Sequence, residues 1–442
     1  MADPATGALP DAARSAIAKA SWRIIPLLGL GYLVAYMDRV NIGFAATRMN
    51  DDLHFSATIY GIGAAAFFLS YALFEVPSNL LLVRFGARRW IARIMVTWGL
   101  LAMAMALVTL PWHFYVLRFL LGFAEAGFFP GVVYYIAHWF PLAQRGRAIS
   151  RFYVTAPLTS VVMGAISGWL LGLDGRGGLH GWQWLFLAEG FPAVITGLVI
   201  LWLLPEGPAT VPWLSQPEKD WLTGELAADA ARLGPAVDHS IVDALRDPLV
   251  FLLGVAGFLC ISCFYALTLS APTLLLGGTG WDITRVGYIV GLGGVLGATS
   301  MLVTGWMTDR SGDRFPVLLL CTALVSLAYA ALGWGGSPAV VIGAYLLFAT
   351  AWTPVTSSHV QLWADVLPIR KLAVGCAAIN SMSQIGAAIS PWLWGWAKDA
   401  TGGYGLALTV MSVAMLLALV VIMMLRARVR GQIAPAALAV AI

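Results

Sequence analysis

Asn79-Leu80-Leu81-Leu82-Val83-Arg84-Phe85-Gly86-Ala87-Arg88 and Gly305-Trp306-Met307-Thr308-Asp309-Arg310-Ser311-Gly312-Asp313-Arg314 carry Arg, Gly and Arg at identical spacing. Each stretch closes a long apolar run and opens another. One Gly/Arg-rich turn means little, but two copies at corresponding places indicate a chain built from two related halves. The runs around them set the class. The 442 residues are 60% hydrophobic and 11% charged, with mean hydropathy +0.82. A soluble domain carries about a quarter charged residues, so this chain cannot clothe a water-exposed globule. It is read as polytopic in a membrane. The runs lack strand alternation, so helices must do the spanning.

A span needs about 20 apolar residues. Runs of that kind lie at roughly 24–46, 59–82, 90–110, 114–138, 147–171 and 184–204, then at 248–276, 281–308, 316–334, 339–362, 372–397 and 405–425. The expected fold is an all-α membrane protein of twelve helices in two six-helix bundles, 1–204 and 248–442. The polar stretch 205–247, with Pro205, Pro208, Pro212 and Pro217, links them. Ser215 followed by Glu218 predicts the start of a short surface helix within it. With both termini cytoplasmic, 20 of the 26 Lys and Arg fall on the inner side, four outside and two, Arg39 and Arg118, inside spans. That bias orients the chain by the positive-inside rule. The opposite orientation would invert it.

Several other classes are excluded or declined. The first residues lack a secretory signal, four cysteines are too few for a disulfide framework, and no basic patch suggests nucleic acid. Cys260-Ile261-Ser262-Cys263 has redox spacing but sits in an apolar run, where packing is the better reading. Gly61-Ile62-Gly63 and the glycines at 291, 293 and 297 lie in membrane helices with no preceding strand, which favours close helix packing over nucleotide binding. No Walker loop or metal-ligand cluster is present, so no cofactor, metal or enzymatic activity is expected.

The loop pattern, twelve spans and central linker resemble the major facilitator superfamily. Within it, Tyr36-Met37-Asp38-Arg39-Val40-Asn41, Arg118-Phe119-Leu120-Leu121-Gly122-Phe123-Ala124-Glu125-Ala126-Gly127-Phe128-Phe129-Pro130 and Trp139-Phe140-Pro141 resemble the anion:cation symporter family. Phe74-Glu75-Val76-Pro77-Ser78-Asn79 and Gly181-Trp182-Gln183-Trp184-Leu185-Phe186 further resemble its tartrate, phthalate and hydroxyphenylacetate permease branch. The resemblance runs along almost the whole chain and is best in the first half. It implies a proton-coupled importer of small organic carboxylates in the inner membrane, working by alternating access; a monomer is expected. By the same resemblance, Asp38 and Glu125 would carry protons, Arg39 and Arg118 would meet the anion, and Asn380 would contact substrate. The loop residues Arg84, Arg88, Asp309, Arg310 and Arg314 would form a cytoplasmic clasp between the halves. Val83 replaces the expected Asp, so the clasp should be lopsided. Pro157 stands where sugar-acid members carry Gln, which argues against a polyhydroxylated substrate.

Charged groups inside spans are expensive and mark function. Those picked out by depth are Asp38, Arg39, Glu75, Arg118 and Glu125, with Asp38 and Arg39 about 10–12 Å, Arg118 roughly 6 Å and Glu125 roughly 16 Å below the outer boundary. Tyr36 shares a helix face with Arg39, and Tyr71 of the second span lies at a depth of about 18 Å. Two arginines and two carboxylates nearly cancel, which suits a cavity where Arg grips a substrate carboxylate in a bidentate fork. The competing reading is a pair of static ion pairs, Asp38–Arg39 and Arg118–Glu125, holding two helices together. A proton-coupled exporter on the same fold is the alternative function. Against it, Ala156-Pro157 lacks the flanking glycines of exporter motifs. Phe67, Phe68, Phe128 and Phe129 are expected to line the pocket. Ser357 and His359 are weaker candidates, His359 being better read as a packing group.

Overall fold

In a computed structural model, the described residues are 10–153, 155–233, 245–367 and 369–440; the side chains of 153, 156, 157, 232, 233, 364, 369–373 and 431–440 lie outside the description. The side chain of Pro157 and the charged groups of Arg370 and Lys371 therefore fall outside it.

With no water in a bilayer core, a backbone must satisfy its own hydrogen bonds, and fifteen α-helices do so among the described residues. They are α1 (Asp11–Asp52), α2 (Ala57–Phe85), α3 (Ala87–Ala104), α4 (Pro111–Glu125), α5 (Phe128–Ala137), α6 (Leu142–Tyr153), α7 (Thr155–Leu171) and α8 (Gly181–Leu203). After them come α9 (Gln216–Leu233), α10 (Pro248–Thr279), α11 (Ile283–Ser311), α12 (Phe315–Trp334), α13 (Pro338–Val366), α14 (Ile369–Thr401) and α15 (Gly405–Val440). Ten crossings are long and apolar enough to span a membrane. Two more complete the predicted twelve: α6–α7, whose apolar stretch Leu158–Leu171 is short, and α14, which carries Asn380, Ser381, Ser383 and Gln384 among its apolar residues. The protein is a multi-pass, all-helical membrane protein.

The fourth span differs from the continuous run read in the sequence. It breaks into α4 and α5 directly after Glu125, where Gly127 adopts φ +86°. A Cβ there would lie 2.5 Å from Ser78 Oγ, so both the backbone conformation and the tight approach require glycine. Non-helical backbone inside a membrane is tolerated where protein surrounds it, and broken helices of this kind accompany binding sites.

The first six spans meet the last six through α1 against α10, α2 against α14 and α7 against α11. These contacts are concentrated at the end of the molecule away from the start of α1, and small residues permit them. A Cβ on Gly164 would fall 2.3 Å from Gly287 O, and one on Gly287 would fall 2.4 Å from Gly164 O. Gly61 lies as tightly against the backbone of Pro391, so Gly61, like Gly291 and its neighbours, serves packing. Polar bonds reinforce the seal. Asp399 of α14 accepts from Ala57 N at 3.1 Å and Thr58 N at 2.7 Å, capping the first turn of α2 from the other six-helix set. Tyr60 donates to Leu269 O at 2.9 Å.

The predicted linker helix is α9. Glu218 accepts from Ser215 N at 2.7 Å, half of a capping box, and takes Lys19 Nζ at 2.8 and 2.9 Å. Asp229 accepts from Leu142 N at 2.7 Å. The linker is thus tied to α1 and to the start of α6.

Two outcomes follow. Gly164→Leu is expected to hold the Gly164–Gly287 crossing apart, so a cysteine replacing Thr273, which lines the narrow cleft beside Tyr60, Leu269 and Pro391, should react with a soluble maleimide at least tenfold faster than the same cysteine in the parent. Glu218 is opposed by burial, but Lys19 and the Ser15 and Ser215 groups hold its carboxyl down to about 2. A depressed carboxyl stabilises docking above its unfolded value of about 4.3 and loses that contribution as pH falls toward 2. Lys19 is partly exposed, so Glu218→Gln should cost only about 1 kcal/mol, seen as faster proteolysis of the linker at neutral pH that becomes indistinguishable from the parent in acid.

Candidate functional site

Helices α1, α2, α4 and α10 bring the buried charges together. Arg39 Nε donates to Glu125 Oε1 at 2.8 Å, and its Nη2 lies 2.6 Å from the same oxygen. The rings of Tyr36 and Tyr71 lie 5.6 and 5.0 Å from the Arg39 guanidinium, within cation–π range. Tyr265 of α10 also interacts with Arg39 and sets its ring 4.2 Å from that of Phe68. The site therefore draws on both six-helix sets. Arg39 is 14% exposed through its side chain, whereas Glu125 is 1% exposed, so the arginine is the accessible member of the pair.

Arg118 is 2% exposed, and its guanidinium lies 4.6 Å from the Phe67 ring centroid. Its leading carboxylate interaction is with Asp38, but no ion-pair contact joins them, and Arg118 Nε has no hydrogen-bond partner among the described residues. Asp38 takes Asn41 Nδ2 at 3.3 Å, with Trp98 the next polar group around it. The pairing is thus crossed between helices: α1 supplies Arg39 to Glu125 of α4, and Asp38 faces Arg118 of α4. The neighbour pairs Asp38–Arg39 and Arg118–Glu125 do not form. Consecutive residues on a helix project about 100° apart, so Asp38 and Arg39 face different surroundings.

Glu75 is half-buried and interacts with Arg39 and Tyr71, placing it with this group rather than only at Pro77. Asn380 is half-buried on α14 and takes no part in the contacts that build the cluster. Phe67 and Phe68 border it; Phe128 instead packs in the core, its ring 6.2 Å from that of Trp98. His359 is buried and bonds Leu253 O at 3.1 Å, a packing role. Cys260 and Cys263 are buried free thiols.

The loop residues bind within their own six-helix sets in this conformation, not across them. Arg314 pairs with Asp309 at 3.6 Å and with Asp365 at 2.6 Å and donates to Gln361. Arg88 bonds Leu201 O at 2.7 Å and reaches Glu206 at 4.0 Å. Arg84 and Arg310 lie over Phe85 and Trp306. Within the sets the two copies differ: the one with Asp309 holds a carboxylate network, and the one with Val83 uses a carbonyl and long contacts from Arg88 and Arg89 to Glu206.

Two participants escaped the sequence reading. Tyr265 bears no charge and no motif. Glu189, inside the run 184–204, is 2% exposed with both oxygens unpartnered; an acid in an apolar run was the available signal.

The Major Facilitator Superfamily profile matches residues 28–391. The chain belongs to that superfamily. It is 41% identical over 393 residues to a putative tartrate transporter of Agrobacterium vitis, covering 87% of this chain and 89% of that one. It is 38% identical over 422 residues to a quinolone resistance transporter of Acinetobacter baumannii, covering 96% and 97%. Among solved structures, a bacterial homolog of the human lysosomal transporter Spinster, in an inward-facing and occupied conformation, superposes with TM-score 0.71 at 14% identity, covering 95% and 98%. The protein is therefore a membrane transporter of small organic compounds and not an enzyme, and the organic-anion branch indicated by the first and fourth spans agrees with the tartrate relative.

Removing one member of a buried ion pair strands the other, at a cost of about 3–5 kcal/mol. Arg39→Leu should lower the melting temperature of the purified protein clearly, and Arg39→Leu with Glu125→Leu should recover most of the loss.

Proposed function

We propose that the protein is a proton-coupled importer of a small organic carboxylate, with residues 1–204 and 248–442 rocking about a central site and 205–247 linking them. The observation that carries this reading is the Arg39–Glu125 pair, boxed by Tyr36, Tyr71 and Tyr265 between the two sets. A substrate carboxylate offers Arg39 two oxygens where Glu125 gives it one, and bidentate binding is the stronger arrangement. Substrate then displaces Glu125, which must take a proton in a site that tolerates no loose charge. Asp38, Arg39, Arg118 and Glu125 sum to zero, so one anion entering with one proton keeps the site neutral. Arg118 balances Asp38 and adds a favourable field for the anion; Asn380 would touch substrate only as α14 moves. The termini face the cytoplasm of a cell whose inner membrane holds the protein as a monomer. Arg84, Arg88, Asp309, Arg310 and Arg314 stiffen each half in this state and clasp the halves in the opposite one.

The test is uptake into proteoliposomes under an inward proton gradient, after a thermal-shift comparison of tartrate, phthalate, hydroxyphenylacetate and aldonates at two pH values. Asp38→Asn and Glu125→Gln should each lower gradient-driven accumulation at least tenfold while leaving the ligand-induced melting shift within about half of its parent size. Uptake that stays fully gradient-dependent in both variants sinks the coupling assignment. The resemblance to a quinolone resistance transporter supports a second reading, proton-driven export. Accumulation of a fluoroquinolone in inside-out vesicles, with no response to any carboxylate, would favour it.

A further inference from the structure

Glu189 lies on α8, which packs against α1 and α3. Gly190 and Gly99 approach so closely that a Cβ on Gly190 would fall 2.6 Å from Gly99 O. This brings Glu189 beside the Asp38–Asn41–Trp98 group. Asn41 faces Glu189, and Asp38 is the charged group it feels most. Among the described residues no cation is paired with it. From α1 it meets Asp38 and Asn41, with Arg118 beyond Asp38. From α3 the nearby polar group is Trp98, and Arg88, Arg89 and Arg93 belong to the first two turns of that helix. The helix α7 and the turn 105–107 bring no charged side chain.

Four buried oxygens here make no hydrogen bond among the described residues, namely Asp38 Oδ2, Asn41 Oδ1 and both carboxyl oxygens of Glu189. The single indole donor beside them, Trp98 Nε1, is unpartnered too, so acceptors outnumber donors. Asn41 gives one of its two amide N–H groups to Asp38. Buried acceptors without donors are costly, and two carboxylates sharing a low-dielectric site cannot both ionise cheaply. One proton removes both problems. Placed on Glu189, it supplies an O–H donor to Asn41 Oδ1, so that the amide bridges a neutral acid on one side and an anionic Asp38, facing Arg118, on the other.

We infer that Glu189 is a second proton-binding acid, linked to Asp38 through Asn41, and that the two carboxyls share one proton in the wall formed by α1, α3 and α8. This deepens the proton-coupled reading by giving Asp38 a partner acid away from the Arg39 face. It rests on that reading only for the proton's use in transport, since the protonation itself needs no substrate.

Infrared difference spectroscopy of the purified protein in lipid, at neutral pH and without substrate, reads it directly. Glu189→Gln is nearly isosteric and should remove one protonated-carboxyl C=O band. Asn41→Leu should shift that same band, because the acceptor of the Glu189 O–H is gone. If the Glu189→Gln spectrum overlays the parent in this region, Glu189 is ionised and the proposal falls. If the band disappears in Glu189→Gln but is unmoved in Asn41→Leu, the link to Asp38 falls. Should Glu189→Gln not fold, the shift or constancy of the band in Asn41→Leu decides. A parent that carries no carboxylate would refute the functional reading and leave the infrared result standing.

Discussion

A charge in an apolar medium must be paired, neutralised or led to water, and the arrangement of this protein follows from that constraint. Helix α1 places two opposite charges at adjacent positions, which a helix turns in different directions. Each finds its counter-charge on α4 instead. The result is a brace between two helices that consists of the same groups a ligand would have to engage. In the function we propose, stability and transport are held by one set of side chains, and a substrate anion competes for an existing partner rather than filling a vacant cationic hole.

The backbone around the brace is shaped to the same end. Glu125 is the last residue of α4, and the chain turns through Gly127 immediately after it, against Ser78. A straight fourth span would carry Glu125 within an unbroken hydrogen-bond ladder. The break frees the geometry at that point while α5 resumes the crossing. At one end of the molecule, glycine faces backbone on α2, α7, α11 and α14, and Asp399 caps α2 from the other six-helix set. Contacts made by small residues and a few hydrogen bonds bring the two six-helix sets close together there.

Much was legible along the chain. Twelve crossings, the linker helix after Ser215, and the buried charges Asp38, Arg39, Arg118 and Glu125 all emerge from hydropathy, spacing and the cost of intramembrane charge. Legibility failed where a residue's meaning depends on what stands opposite. Tyr265 reads as one aromatic among many until α10 sets it beside Arg39. Glu189 is an acid with no arginine near it in sequence, and its neighbours Asp38 and Asn41 come to it only when α8 packs on α1. The loop repeats marked a duplicated architecture, but their arginines bind Asp365 and Leu201 within their own sets, a choice that depends on conformation.

Composition and periodicity alone determined that this is a helical membrane protein, because a bilayer admits few backbone solutions and an apolar run of sufficient length has little alternative. The same reasoning marked the buried charges, since their cost does not depend on fold. Which acid meets which arginine was decided only in three dimensions. Adjacent residues on a helix diverge, and residues 86 positions apart, Arg39 and Glu125, converge when α1 and α4 pack. Tertiary structure also decided that the fourth span breaks beside the site and that a third carboxyl stands behind it. Those outcomes depend on side-chain direction and interhelical approach, which linear spacing does not encode.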